Sequence, residues 1–223
     1  MLSIIVPVLN EAAALPALLE RLLPLSRHGC EVLFVDGGSV DESVAMIECA
    51  GYRLVNSQPG RATQMNAGAA RAGGHNLLFL HADTELPTGA VDCVSQALAS
   101  GLHRWGRFDV CITGRHRMLR IVGRMMNLRS RWTGIATGDQ AMFVSRTSFD
   151  AVGGFPDQPL MEDIELSKRL RCLSRPACIT RCVTTSGRRW ETHGVWHTIL
   201  LMWRLRWNYW RGMPADILAR AYQ

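Results

Sequence analysis

The 223-residue chain is 48% hydrophobic and 20% charged, a composition that supports a substantial core and excludes wholesale disorder. Its net charge of +6 is almost wholly arginine, Lys168 being the one lysine, which favours phosphate-bearing partners without saying which. No apolar run approaches the roughly 18 residues that a bilayer span needs. Seven cysteines, at 30, 49, 93, 111, 172, 178 and 182, are scattered and odd in number. That pattern fits small apolar residues in a reducing compartment rather than a disulfide framework.

Strand and helix signals alternate from the start. Met1–Leu9 runs into Asn10-Glu11 and reads as a strand and turn rather than a leader. Within it Ser3–Val8 is a β-branched run suited to a buried parallel strand. Leu15, Leu18, Leu19, Leu22 and Leu23 fall at helical spacing, with Pro16 tolerable in the first turn. Glu31–Val35 is a second strand that ends at Asp36-Gly37-Gly38-Ser39. A helix through Ala50 that Asp41 could cap, a strand over Arg53–Asn56, a helix over Arg61–Ala72 and a strand over Asn76–Leu80 follow. A helix is expected over Leu86–Ala99. Beyond it, strands at Phe108–Thr113 and Gln140–Ser145 flank an arginine-studded helix over Met118–Arg131. Helices over Glu162–Leu173 and Val195–Trp210 complete the chain.

Repeated β-α units of this length predict an α/β fold with a mostly parallel sheet flanked by helices, followed by C-terminal helices. No linker or repeat divides it, so residues 1–223 are expected to form one domain. Its nucleotide-binding half is 1–105, its acceptor-side half 106–190 and its amphipathic C-terminal helices 194–222. Ligands of such sheets sit beyond the carboxyl ends of the strands. Asn10-Glu11, Asp36 and Asp83 each follow such an end and converge on one edge. Asp36 can accept hydrogen bonds from a base or ribose, and Asp83 can meet a divalent ion that bridges a diphosphate. Glu162-Asp163, opening a helix after Gly153-Gly154-Phe155-Pro156, can present a general base. Each of these has an ordinary structural alternative, a turn for Asp36 and helix-end charges for the others.

Taken in order, SIIVPVLNE, VDGGSVDES, LHADT, GGF…ED and GRRW make the chain resemble the family 2 glycosyltransferases of the Rossmann-like GT-A fold. More narrowly it is similar to the small bacterial radical-SAM/selenodomain-associated transferases. The resemblance implies that Pro7, Asn10 and Glu11 line the nucleotide pocket and that Asp36 holds base or ribose. It places Arg61, Gln64 and Asn66 towards the nucleotide, and Arg189-Trp190 matches the end of a motif found in processive members, without its glutamine. Asp83 matches the metal-binding end of the family's DxD motif, and Asp163 the catalytic base, with Glu162 beside it. His81 stands where that motif has its first Asp. An imidazole there can still ligate manganese.

The implied reaction is an inverting transfer of a sugar from a nucleotide donor, UDP-linked first among the options, to an acceptor hydroxyl. The implied cofactor is Mn2+ or Mg2+. A lipid-linked acceptor is one option for a partner, and nucleic acid is not expected. The alternatives are a sugar nucleotidyltransferase and a non-catalytic nucleotide- or membrane-binding module. The absence of a Gly-rich loop after strand one weighs against the first and against a dinucleotide oxidoreductase. The expected location is cytoplasmic, with the inner face of the cell membrane as its site. Ile199, Leu200, Trp203, Trp207 and Trp210 near one helical face, with Arg204, Arg206 and Arg211, suit a peripheral membrane contact as well as a core-closing helix.

Overall fold

Three strands lie side by side and parallel at one edge of the sheet: β1 (Leu2–Val8), β2 (Glu31–Asp36) and β3 (Arg53–Asn56). The computed structural model describes residues 1–222, apart from the side chains of Arg189 and His193. Between and after these strands come α1 (Leu15–Arg27), α2 (Ser43–Cys49) and α3 (Arg61–Arg71). β4 (Asn76–Phe79) joins the other side of β1, again parallel. Then follow β5 (Thr84–Glu85), α4 (Ala90–Ala99), β6 (Trp105–Thr113), α5 (Met118–Thr133), a 3-10 turn at Gly138–Gln140 and β7 (Phe143–Ser145). The chain continues through α6 (Arg146–Ala151), α7 (Glu162–Arg171), β8 (Ala177–Ser186), α8 (Arg188–His193), α9 (Val195–Trp210) and α10 (Ala215–Tyr222). Among the described residues one eight-stranded sheet has the order β3-β2-β1-β4-β7-β6-β8-β5.

The alternation of side chains along each strand builds two cores, one on each face. Ile4, Val6 and Phe34 point to the face covered by α1, α4 and α5, where Leu15, Leu18, Val94 and Leu119 meet them. Ile5, Val35, Leu77 and Phe79 point to the other face, against Met65, Phe149, Leu166 and Leu170 of α3, α6 and α7. Gly68 allows α3 to lie this close, since a Cβ there would run into the methyls of Ile5 and Val35. Arg146 then ties α6 to the carboxyl end of α3, donating to the carbonyls of Ala69, Ala72 and Gly74. The start of α9 rests on the first core through Val195 and Ile199, and the rest of the C-terminal helices on a third, smaller cluster in which only Met161, Leu205 and Leu218 are fully buried. At roughly 1.5–3 kcal/mol per buried side chain, this last cluster is much the weakest of the three.

Several elements depart from the sequence reading: β6 begins at Trp105 rather than Phe108, and β5, α6 and α8 were not foreseen. α2 starts at Ser43 because Asp41 spends both carboxylate oxygens on the backbone N–H groups of Ser43 and Ala12. α4 starts at Ala90, since Pro87 and a left-handed Gly89 keep the preceding residues out of the helix. β7 loses its first residues to the 3-10 turn, which Thr137 and Gln140 close with a reciprocal capping box. β8, ten residues long, pairs in parallel with β6 along most of its length and was not foreseen. Its cysteines were expected as buried fillers, but Cys178 and Cys182 are half-buried, Cys172 just upstream is exposed, and only Cys30 of the seven is buried.

Candidate active site

The carboxyl ends of the strands and the loops after them enclose a cavity of about 500 Å³, within the range that holds a nucleotide-sized ligand. Its floor is Pro7, Val8 and Leu9 at the end of β1, and Gln64 from α3. Gln64 is buried and donates from Nε2 to the carbonyls of Val8 and Val35, both at 2.8 Å, so it locks the ends of β1 and β2 together. Glu11, Arg61, Asp83 and Trp190 also line the cavity.

Three residues expected at the nucleotide are bound into the scaffold. The Asp36 carboxylate is buried and accepts the N–H groups of Gly38 and Ser39, making an Asx turn. Asn10, in a left-handed conformation that asparagine tolerates, accepts the Val40 N–H, while its own N–H donates to Ser39 Oγ at 2.9 Å. These bonds knot the loops after β1 and β2. Asn66 clamps Phe155 in both directions, donating to its carbonyl and accepting its N–H. None of the three lines the cavity. The side chain of Arg189 lies outside the described residues.

Glu162 and Asp163 face the cavity from the first turn of α7. They are delivered by Met161, whose φ of 65° is rare for a residue with a side chain, so the surrounding packing has to hold the turn. Asp163 is anchored: Gly138 N–H donates to Oδ2 at 2.9 Å and Ile164 N–H to Oδ1 at 2.7 Å. Burial raises its pKa above the ordinary carboxylate value, while those two N–H donors pull against the rise. Glu162 is tied only by its own backbone N–H among the described residues. Burial first, and the Asp163 charge second, push it up to about 7.

Arg61 is the basic counterpart. Its side chain is open to solvent yet sits within the cavity walls. Burial works to lower its pKa, but Glu162, Tyr222, Asp139 and Asp163 together raise it, so it stays a cation. Glu11 is half-buried and its pKa is raised by desolvation, against the pull of Arg188 at 3.9 Å. Behind α7, two guanidinium nitrogens of Arg129, Nε and Nη2, are buried without a hydrogen-bond partner among the described residues. That edge of the side chain is the fork that suits a pair of carboxylate or phosphate oxygens.

The donor set decides what metal fits. His81 lines the cavity as well, with its ring against Gly138, where no Cβ could stand, and Nδ1 3.4 Å from Asp139 Oδ1. Asp83 presents an exposed carboxylate to the cavity, touched only by Thr84 Oγ1 at 3.3 Å among the described residues. No group of three His, Cys, Asp or Glu side chains is placed to hold an ion among the described residues. This set does not suit a resident ion held by protein alone. It does suit one carried on a diphosphate, which needs only one or two carboxylates from the protein.

The sequence reading did not foresee the cavity's other wall. Asp139, Thr185 and Ser186 enter from the 3-10 turn and β8, and Thr198, Met202, Arg206 and Tyr222 from the C-terminal helices. Asp139 had a signal, a Gly-Asp pair just before a short apolar run, but it was absorbed into the approach to a strand. The C-terminal residues had none, since nothing local says which way a helix faces.

Comparison with known proteins agrees with this geometry. The model of a family described as glycosyl transferase family 2 matches residues 3–149. A PGL/p-HBAD biosynthesis glycosyltransferase of Mycobacterium bovis is 32% identical, covering 81% of this chain and 73% of that protein. An undecaprenyl-phosphate 4-deoxy-4-formamido-L-arabinose transferase of Pseudomonas fluorescens is 29% identical, covering 67% and 48%. Among solved structures, a mannosyltransferase from Pyrobaculum calidifontis, in complex with GDP-Man and Mn2+, superposes with a TM-score of 0.63 at 19% identity. That match covers 82% of this chain and 56% of the other. A glucosyl-3-phosphoglycerate synthase from Mycobacterium tuberculosis, in complex with Mn2+ and UDP, gives 0.62 at 18% identity over 83% and 69%.

Proposed function

The chain belongs to glycosyl transferase family 2, and from that premise we propose that it transfers a sugar from a nucleoside-diphosphate donor, UDP-linked by preference, to an acceptor hydroxyl with inversion. The observation that carries this reading is the shared cavity of Asp83, Arg61 and the Glu162–Asp163 pair. Nucleotide enters over Pro7 and Glu11, with Asp83 at the diphosphate and Arg61 beside it. Mn2+ or Mg2+ bound there through Asp83 would neutralise charge on the departing diphosphate. The protein's own share is positioning and proton removal. Asp163, fixed by two N–H donors, is oriented to take the proton of the attacking hydroxyl, and burial, with the Asp139 charge behind it, raises its affinity for that proton. A second reading gives the base role to Glu162, favoured by its looser tether and its pKa of about 7. Single variants at the two positions separate these readings.

The acceptor we propose is lipid-borne, with the protein seated peripherally on the inner face of the cell membrane. Support comes from α9, whose inner side lines the cavity while Trp196, Leu200, Trp203, Trp207 and Trp210 face solvent, each more than half exposed. Ile199 alone of the expected stripe turns towards the core. No helix among the described residues is long and apolar enough to cross a membrane. The test is a thermal-shift panel of UDP-, GDP- and dTDP-sugars with and without Mn2+, followed by transfer to a polyprenyl-phosphate or glycolipid acceptor. Stabilisation by one donor class and metal-dependent product are expected. No stabilisation by any donor, with the folded protein, refutes the reading.

A further inference from the structure

We propose that α5 is a second membrane-binding surface, which together with α9 seats the protein on a bilayer bearing anionic lipid. This rests on the peripheral contact proposed for α9 and not on the identity of the donor. Leu119, Gly123 and Ser130 of α5 are buried against the sheet. Its opposite side carries Ile121, Met125, Leu128 and Trp132, exposed by 50%, 55%, 41% and 78%. Their spacing of four, three and four residues puts them on one face. A helix of a protein that ends its work in water has little reason to show such a row to solvent, and a lone exposed side chain would not call for explanation.

Charge identifies the occupant. Arg115, Arg117, Arg120 and Arg124 are all exposed along the first half of this segment. Neither the stretch from 110 to 138 nor that from 192 to 215 contains an Asp or Glu. Apolar and indole side chains interleaved with arginines match the boundary between acyl chains and phosphate headgroups. Nucleic acid is a poorer match, because a phosphate backbone gives Met125, Leu128 and Ile121 nothing to bury against. The two segments are linked through α8, which packs on α9. Arg115 N–H donates to Glu191 Oε1 at 2.6 Å, and Met118 and Val122 of α5 pack on the same cluster as Trp190 and Ile199. The start of α5 and the start of α9 are therefore both tied to the first core and to α8 between them.

The experiment is flotation of the full chain with phosphatidylcholine vesicles, with and without phosphatidylglycerol, at low salt. Three double variants are compared with wild type: Arg120→Glu/Arg124→Glu, Met125→Ser/Trp132→Ser, and Trp203→Ala/Trp207→Ala. Arg71→Glu, on α3 at the opposite face of the sheet, is the control. All substituted positions are exposed, and circular dichroism confirms folding. Wild type should float with anionic vesicles only, and each α5 variant should partition at least about tenfold more weakly, since each basic residue at an anionic surface matters measurably. Arg71→Glu should change little. Flotation unaltered by both α5 variants overturns the proposal, as does equal binding to vesicles without phosphatidylglycerol. So does a dimer in sedimentation that dissociates on Met125→Ser/Trp132→Ser, which would make a second copy the occupant. UDP-sugar stabilisation measured on the same preparations keeps the two readings apart: binding of donor without flotation overturns the surface alone.

Discussion

The two halves of the molecule obey different rules. Residues 1–105 build parallel strands whose loops are fixed by short-range chemistry: Asp36 closes its own turn, Asn10 and Ser39 join two loops, and Gln64 bolts two strand ends. The polar residues nearest those strand ends are bound into the scaffold. Residues 106–222 assemble by long-range pairing. β7 joins β4 antiparallel, β8 returns parallel to β6, and α9 closes the cavity from a distant part of the sequence. The first half offers a platform fixed by its local bonds. The second half brings the Glu162–Asp163 pair, the second wall and the exposed helices.

The largest effect expected from breaking the first half is at Asp83. Asp83→Ala should lower transfer by about three powers of ten or more, the scale on which removing a leaving-group stabiliser acts, with an unaltered circular dichroism spectrum. Turnover near wild type with Mn2+ present would remove Asp83 from the diphosphate. In the second half, Asp163→Asn should keep donor binding and lower kcat by roughly two to four powers of ten, the usual share of a general base. If Glu162→Gln causes that loss and Asp163→Asn does not, the base lies one residue upstream. The pH profile sharpens this pair. If Glu162 is the base, its carboxyl, raised to about 7, is protonated below that pH and kcat/KM should fall as pH drops through about 7; if Asp163 is, the limb belongs to a carboxyl that burial holds above its ordinary range. In Glu162→Gln, with a neighbouring charge removed, the limb should move to lower pH if Asp163 is the base. It should disappear if Glu162 is. A limb at unchanged pH in that variant contradicts both assignments.

Smaller changes are expected where a polar side chain serves the fold. Asn66→Ala removes both bonds to Phe155 and should destabilise the protein by about 1–3 kcal/mol in denaturant titration, leaving the donor Kd within a few-fold. A large loss of donor affinity without loss of stability would return Asn66 to the ligand.

The same contrast explains what the sequence made legible. β3 and α9 were read with their ends in place, and β1, β2, α3 and β4 to within a residue, because buried strands and amphipathic helices carry their period in local sequence. The family was legible too, through motifs at strand ends. β8 was not, since ACITRCVTTS mixes cysteine, arginine and threonine and its partner β6 lies some 70 residues away. Within the site, Asp83, Arg61, Glu11, Glu162 and Asp163 were brought to the cavity as expected, whereas Asp36, Asn10 and Asn66 were drawn into turns and clamps. A strand-end position tells that a polar side chain is near the ligand edge. It does not tell whether a neighbouring N–H claims it first.

The most direct test is calorimetric titration of the wild-type chain and of Asp83→Ala with the preferred nucleotide sugar, with Mn2+ and with chelator. One site per chain, tight only with Mn2+ in the wild type and weak under all conditions in Asp83→Ala, is the predicted result. Binding of equal strength in chelator and in Asp83→Ala would contradict a metal-bridged diphosphate in this cavity, and with it the account of how the donor is held.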